Sequence, residues 1–261
     1  MLEAKALHKN FSIKGKKNEN KTVHAVDGVN IVLKDRKSYA LVGESGSGKS
    51  TLSRLLMGLI PPTSGDVLLN QKSLFSLSRR ETKQRFTRMQ LVLQDGKSAL
   101  DPRFTVYDSI AEPIRHLLDV SRLREKELIN ELMQQMDLPH ALLGRQPHEL
   151  SGGQQKRVCI ARAIAVSPQI LIFDESVSGL DVIVRKSILE LLKRLQMDRG
   201  YTYLFITHDI DVALFMAQNI MVMKEGKIIE NVRYSGDIEC FKHPYSRLLL
   251  ESLLAETNMK T

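Results

Sequence analysis

Apolar and polar residues alternate over short runs at the start of the chain. MLEAKALHKNF and HAVDGVNIVL return to an apolar residue about every second position, the period of a half-buried strand. The polar run KGKKNENK between them predicts a loop. SYALVG lacks the alternation and predicts a strand buried on both faces that ends in glycine. The helical run STLSRLLMGLI follows, with Pro61 and Pro62 as its expected stop, and PTSG turns the chain into a strand at DVLLN. A basic helix, roughly Arg79 to Arg88, leads to a further strand, MQLVLQ.

After Gln94 the period changes. From about Asp95 to Val166 nearly everything repeats as a helix does, including VYDSIAEPIRHLL and REKELINELMQQM. Strands then resume. QILIFDE, the helix SILELLKRLQ, YTYLFITHD and the helix DVALFMAQ precede a hairpin, IMVMKEGKIIE, that turns at Glu225-Gly226, and a last helix runs into a polar tail. Strands alternating with helices predict an α/β fold with a mainly parallel sheet, flanking helices and an antiparallel β part. The expected organisation is one domain, 1–261, with a core formed by 1–94 and 167–261 and an inserted helical subdomain at 95–166.

Composition narrows the class. The 261 residues are 43% hydrophobic and 26% charged, enough for a sizeable core. The longest apolar runs, LLMGLI and ILIF, fall far short of the roughly 18 residues of a membrane span, and no charged-then-apolar signal segment opens the chain. The default expectation is a cytosolic protein. Cys159 and Cys240 stand far apart and outside any CxxC pair, which argues against a disulfide framework or a zinc site. The formal charge of +8 is concentrated in Lys14, Lys16, Lys17 and Lys21, then in Arg79, Arg80, Lys83, Arg85 and Arg88. No aromatic residues interleave with these, so a solvated or membrane-proximal face is expected rather than nucleic acid.

Several stretches carry chemistry. GESGSGKS fits GxxxxGK[ST] and stands between a predicted strand and a predicted helix, the context a phosphate loop requires. Gly43, Glu44, Ser45, Gly46, Ser47, Gly48, Lys49, Ser50 and Thr51 are the candidate cradle. Gly46 and Gly48 let backbone N–H groups turn toward β- and γ-phosphates, Lys49 supplies a point charge and Ser50 can ligate Mg²⁺. ILIFDE ends a buried strand in two acids; Asp174 is the candidate Mg²⁺ holder and Glu175 the candidate base for the attacking water, a solvated turn being the plainer reading. His208 closes FITHD and is a candidate γ-phosphate contact. Gln94 ends LVLQ where the helical insertion starts, and could touch metal or water from a hinge.

LSGGQQKR presents Ser151, Gly152 and Gly153 just before a predicted helix, whose N-terminus attracts anions. One nucleotide needs one cradle, and this second anion site lies in the insertion. The expectation is that Ser151, Gly152, Gly153 and Gln154 cap the γ-phosphate of a nucleotide held by another subunit, in a two-fold sandwich.

GESGSGKS, Gln94, LSGGQQKR, ILIFDE, SGLD and ITHD occur in this order over nearly the whole chain, and together they resemble the ATP-binding cassette (ABC) ATPases with a P-loop NTPase core. The resemblance implies ATP and Mg²⁺ as ligands, hydrolysis of ATP, and contact of Asp181 with the opposite subunit. It also implies that Phe11 stacks on adenine, although the lysine-rich loop blurs the spacing and a core phenylalanine is the alternative.

LQDGKSALDPRFTV and HPYSRLLLESL are similar to segments of the dipeptide, oligopeptide and nickel importer ATPases, and EPIRHLL and RVCIARAIAVSP resemble the nickel-import members still more. Gly96 and Asp101 depart from that pattern, where proline and asparagine are usual. The absence of a cysteine-bearing tail before Thr261 tilts the expectation from peptides toward nickel or a metal chelate. An exporter ATPase and a non-transport ABC protein are the remaining alternatives. An importer implies two transmembrane permease subunits, a second homologous ATPase chain, an extracytoplasmic solute-binding protein, and a place on the cytoplasmic face of the membrane.

Overall fold

The computed structural model describes residues 1–14, 20–93 and 99–258. The chain divides into two compact units, Met1–Leu77 with Leu204–Thr261, and Ser78–Tyr203.

The first unit contains an antiparallel sheet of β1 (Leu2–Lys14), β2 (Asn20–Leu33), β4 (Ser64–Leu69) and β5 (Lys72–Ser73), in the order β2-β1-β4-β5. Leu2 and Ala4 face the core, then Leu7, because a register shift between Ala4 and Leu7 moves the apolar set by one residue. The shift is matched on β2, where Val26 is followed by Val29, Ile31 and Leu33. β1 and β2 also extend beyond the hydrophobic pattern, with Ile13 opposite Lys21 and Lys14 opposite Asn20, so Lys14 and Lys21 belong to strands and not to the expected loop. Backbone pairing holds these ends whatever their side chains.

The same unit holds β3 (Ser38–Val42), β9 (Asn219–Lys224) and β10 (Lys227–Arg233), with β3 parallel to β9 and β9 antiparallel to β10. Every residue of β3 is buried, as its unbroken apolar run requires. Helix α1 (Lys49–Leu56) follows β3. It stops earlier than the prolines suggest. Gly58 takes a left-handed conformation (φ 63°), and the Leu59 N–H closes onto the Arg54 carbonyl at 2.8 Å, the reversed turn that glycine allows at a helix end.

The second unit contains α2 (Arg79–Arg88), β6 (Met89–Val92), α3 (Val106–Leu117), α4 (Arg122–Gln135), α5 (Gly152–Ile164), β7 (Ile170–Asp174) and α6 (Val182–Arg199). β6 and β7 pair in parallel, from Met89 opposite Ile170 to Val92 opposite Phe173. Helix starts carry side-chain caps: Ser78, Thr105, Ser121, Ser151 and Asp181 each accept a backbone N–H of the first turn. β8 (Thr202–Thr207), buried throughout, carries the chain from the second unit back to the first, and α7 (Ile210–Met216) and α8 (Pro244–Asn258) complete it. The hairpin turns at Glu225 and Gly226 as expected. Among the described residues, no helix is long and apolar enough to cross a membrane.

Candidate active site

In the first unit, the phosphate-loop residues lie between β3 and α1. The loop is packed too closely for side chains at two of its glycines. A Cβ on Gly43 would collide with the Met223 carbonyl, and one on Gly48 (φ 105°) with the Ala25 carbonyl; the space above Gly46 is open. The β9–β10 turn supports the loop from behind, since the Gly226 N–H donates to the Ser47 carbonyl at 2.9 Å and the Asp27 N–H to the Gly226 carbonyl at 2.9 Å.

The Lys49 side chain is 4% exposed, and its ammonium donates to the carbonyls of Gly43 at 2.7 Å and Glu44 at 2.8 Å. The buried Ser47 hydroxyl completes no hydrogen bond among the described residues. Gly48 gives α1 no side-chain cap, so nothing on the residue before the helix competes for its first N–H groups. A buried ammonium, an orphaned hydroxyl and an uncapped helix N-terminus fit a polyphosphate. Ser50 and Thr51 stand in the first turn of α1. His208 is exposed at the end of β8, just before Asp209, which caps α7 by accepting the Val212 N–H at 3.2 Å. Phe11 lies on β1, 41% exposed and with the Lys9 ammonium 5.3 Å from its ring centre, so it is not a core residue.

In the second unit, Asp174 is the last residue of β7 and is buried. Glu175 follows in a left-handed conformation (φ 47°), its carbonyl taking the Ser178 hydroxyl at 2.7 Å. A non-glycine residue there stores about 1–3 kcal/mol of strain that the fold must offset, a cost that clusters at functional positions. Asp181 is exposed and caps α6 by accepting the Ile183 N–H at 2.9 Å. Ser151 caps α5, with Gly152, Gly153 and Gln154 in its first turn. The unit brings LSGGQ beside SGLD, because a Cβ on Gly152 would lie 4.0 Å from the Leu180 side chain. Gln94 lies outside the described residues.

Three sets of contacts do not follow from the motifs. Lys156, buried within α5, the signature helix that LSGGQ opens, donates to the Leu93 carbonyl at 2.9 Å and so ties that helix to the residue before position 94. Arg157 donates to the Met136 carbonyl at 2.6 Å, to Asp137 at 3.1 Å and to the Ser187 hydroxyl at 2.9 Å. Asp101, where the resemblance expects asparagine, accepts from Arg103 at 2.7 Å and 3.0 Å, and these bonds bring its carboxyl down to about 2.

The sequence profile of the family described as "ABC transporter" matches residues 26–178. A protein named nickel import ATP-binding protein NikE from Brucella abortus is 42% identical over 226 residues, 87% of this chain and 85% of that one. A protein of that name from Shigella boydii is 38% identical over 254 residues, 97% and 94% of the two chains. The solved dimeric structure of the ATP-binding cassette MJ0796 in a post-hydrolysis state, bound to ADP and Pi, superposes with a TM-score of 0.80 at 30% identity, over 91% of this chain and all of that one. CbiO1 of Clostridium perfringens, part of the transporter complex CbiONQ, gives a TM-score of 0.77 at 26% identity, over 98% and 93%. The phosphate loop, the acid-ended strand and the signature helix thus stand on a shared fold, and this chain belongs to the ABC transporter family as one of its ATPase cassettes, acting on ATP with Mg²⁺.

Proposed function

We propose that this cassette hydrolyses ATP to drive the import of nickel or a small metal chelate. It would work at the cytoplasmic face of the membrane with two permease subunits, a second homologous ATPase chain and an extracytoplasmic solute-binding protein. The observation that carries the cargo is the likeness, at 38% and 42% identity, to proteins named for nickel import. The cassette itself does not select cargo in this reading. Among the described residues, no three His, Cys, Asp or Glu side chains gather as a metal group. HPYSRLLLESL, a pattern common to peptide- and nickel-importer ATPases, keeps a di- or oligopeptide as the second reading.

Within this proposal, residues 1–94 and 167–261 form the nucleotide-binding core, and 95–166 the helical insertion. Gly43 to Thr51 take the phosphates, with Lys49 exchanging its two loop carbonyls for phosphate oxygens. Ser50, Asp174 and Gln94 would hold Mg²⁺, whose charge neutralises the phosphates. Glu175 accepts the proton of the attacking water, and His208 contacts the γ-phosphate. Phe11 stacks on adenine; its exposure supports that role over a core role. Ser151, Gly152, Gly153, Gln154 and Asp181 serve the nucleotide of the second ATPase chain. Val182 and Ile183, directly after Asp181, are 67% and 80% exposed, an apolar pair that supports an interface there.

The test has two arms. Glu175→Gln keeps hydrogen bonding but cannot take the proton, so ATP binding should survive while hydrolysis falls about 100-fold or more. Undiminished turnover would remove the catalytic role from Glu175. Cells lacking this chain should regain uptake of labelled nickel on its return, and not with Glu175→Gln. Recovery of dipeptide uptake without nickel uptake would reverse the cargo assignment.

A further inference from the structure

The phosphate loop is braced by two parts of its own unit that hold none of the family's motifs, β2 and the β9–β10 turn. On β1, Leu7 pairs with Val29 of β2 and Lys9 with Val26, so His8 faces two residues, Asp27 and Gly28. This is a β-bulge, and Gly28 takes the left-handed conformation (φ 67°) that lets the strand bend there. Bulges re-aim the residues they carry. Here the Asp27 N–H is aimed at the β9–β10 turn, where it donates to the Gly226 carbonyl at 2.9 Å.

The Asp27 carboxylate grips the next residue of the same turn. Its Oδ2 lies 3.2 Å from the Lys227 ammonium, and its Oδ1 lies 3.1 Å from Nδ1 of His8, which also accepts the Gly28 N–H at 3.2 Å. Glycine is required at 226, since its φ is 81° and a Cβ there would stand 2.9 Å from the His24 carbonyl. β2 and the turn therefore meet backbone to backbone.

From the turn the hold passes to the loop, because the Gly226 N–H donates to the Ser47 carbonyl at 2.9 Å. In a planar trans peptide the C=O and the following N–H point in opposite directions. Fixing the Ser47 carbonyl against the turn thus fixes the Gly48 N–H to face away from it. Gly48 stands directly before α1, and its N–H is one of the donors that the cradle offers to phosphate.

We infer that Asp27 is a positioning residue for the nucleotide: by holding Gly226 through its N–H and Lys227 through its carboxylate, it keeps the turn seated behind the loop and the Gly48 N–H turned toward the phosphates. The inference rests on the assignment of Gly43 to Thr51 as the cradle. Asp27 acts through the turn and not by contact. It raises the share of molecules whose loop is ready to bind, and apparent affinity scales with that share.

A double-mutant cycle on the full-length chain tests it. Asp27→Ala and Lys227→Met each remove one side of the ion pair and leave the backbone bonds of the bulge possible. The pair is partly exposed, Asp27 at 34% and Lys227 at 62%, so its effect is moderate. Each substitution should raise the Kd for ATP, read with a fluorescent ATP analogue, by about 2- to 5-fold. The double variant should raise it no further than the larger single effect. In the assembled transporter KM should rise by the same factor at nearly constant kcat. Unchanged Kd values would overturn the inference, and so would additive effects, which would mean that the two residues act separately. A coupling seen in the unfolding free energy but not in Kd would overturn it as well, because it marks a merely structural pair. Lys49→Ala measured alongside separates the two claims. Undiminished ATP binding by Lys49→Ala refutes the cradle and the inference with it, whereas lost binding in Lys49→Ala beside an unaltered Asp27→Ala refutes the inference alone.

Discussion

Gly153 lies so close to Val184 that a Cβ added to it would stand 2.7 Å from the Val184 Cγ1. The contact joins the first turn of the signature helix to the first turn of α6. One turn further along both helices, Arg157 reaches the Ser187 hydroxyl, and Asp137 takes both Arg157 and, at 3.1 Å, Arg194. Ser151 and Asp181, the residues proposed to meet the partner's nucleotide, are the caps of these two helices. Their spacing is therefore set by direct helix contact. Glycine at 153 has two separable reasons, a close helix approach and access for a phosphate.

Gly153→Ala separates them. Val184 is β-branched and cannot swing its methyl aside, so the helices must shift. Overpacking of this kind costs about 1–3 kcal/mol, offset in part by the roughly 1 kcal/mol by which alanine favours a helix over glycine. A net loss of up to about 2 kcal/mol is expected in denaturant unfolding, with recovery in the double variant Gly153→Ala, Val184→Ala. Full stability in the single variant would remove the packing constraint. ATPase activity that stays low in the recovered double variant would leave the phosphate as the reason for glycine.

A second prediction concerns acid. Glu125 on α4 is buried and accepts from Arg115 Nε at 3.0 Å, Arg115 Nη2 at 2.8 Å and the Tyr107 hydroxyl at 2.9 Å, which ties α4 to α3. The Arg115 bonds, followed by the Tyr107 bond, hold its carboxyl below the ordinary 4.5 despite burial. A depressed folded-state pKa means stabilisation that is complete above pH 4.5 and lost as pH falls through the lower, folded value. Charged hydrogen bonds of this type contribute about 1.5–3 kcal/mol, reduced here to about 1–2 kcal/mol because Arg115 is partly solvated. Glu125→Gln should lower the unfolding free energy by that amount at pH 7 and by much less at pH 3. Equal losses at the two pH values would mean that the carboxylate charge contributes nothing.

Local signals were legible and long-range ones were not. The β9–β10 hairpin follows from Glu225-Gly226, and the bounds of α2 follow from a serine cap, a glutamate three residues on and a basic last turn. The start of α6 was hidden, because Val182 and Ile183 are apolar but exposed and so break the helical period; only the cap at Asp181 marks it. The stop of α1 was hidden too, since Gly58 reverses the chain before either proline can act. Arg157 and Asp137 meet through folding at a separation that no periodicity encodes. The phosphate loop is the opposite case, because its function resides in backbone conformation that a few glycines specify locally.

The last prediction concerns the cap of the signature helix. The Ser151 hydroxyl accepts the Gln154 N–H at 3.3 Å while Gln154 Oε1 accepts the Ser151 N–H at 2.9 Å, a reciprocal box. The serine thus has a local task besides any contact with phosphate, and Ser151→Arg would disturb both, losing about 1 kcal/mol with the cap. Ser151→Asp is the sharper variant. Aspartate caps helices as well as serine does, so stability should change by less than about 0.5 kcal/mol. Its charge would nevertheless repel a γ-phosphate placed against the loop. In a complex where this chain carries Ser151→Asp and the second ATPase is wild type, equilibrium ATP binding to this chain should be unaffected, because Lys49 and its loop are untouched. Nucleotide trapped on the second chain should be lost, and Ser151→Arg should reproduce that loss by bulk. Weakened binding of ATP to this chain's own Gly43–Thr51 loop, with trapping on the second chain intact, would instead place the signature loop over its own nucleotide and end the shared-site reading.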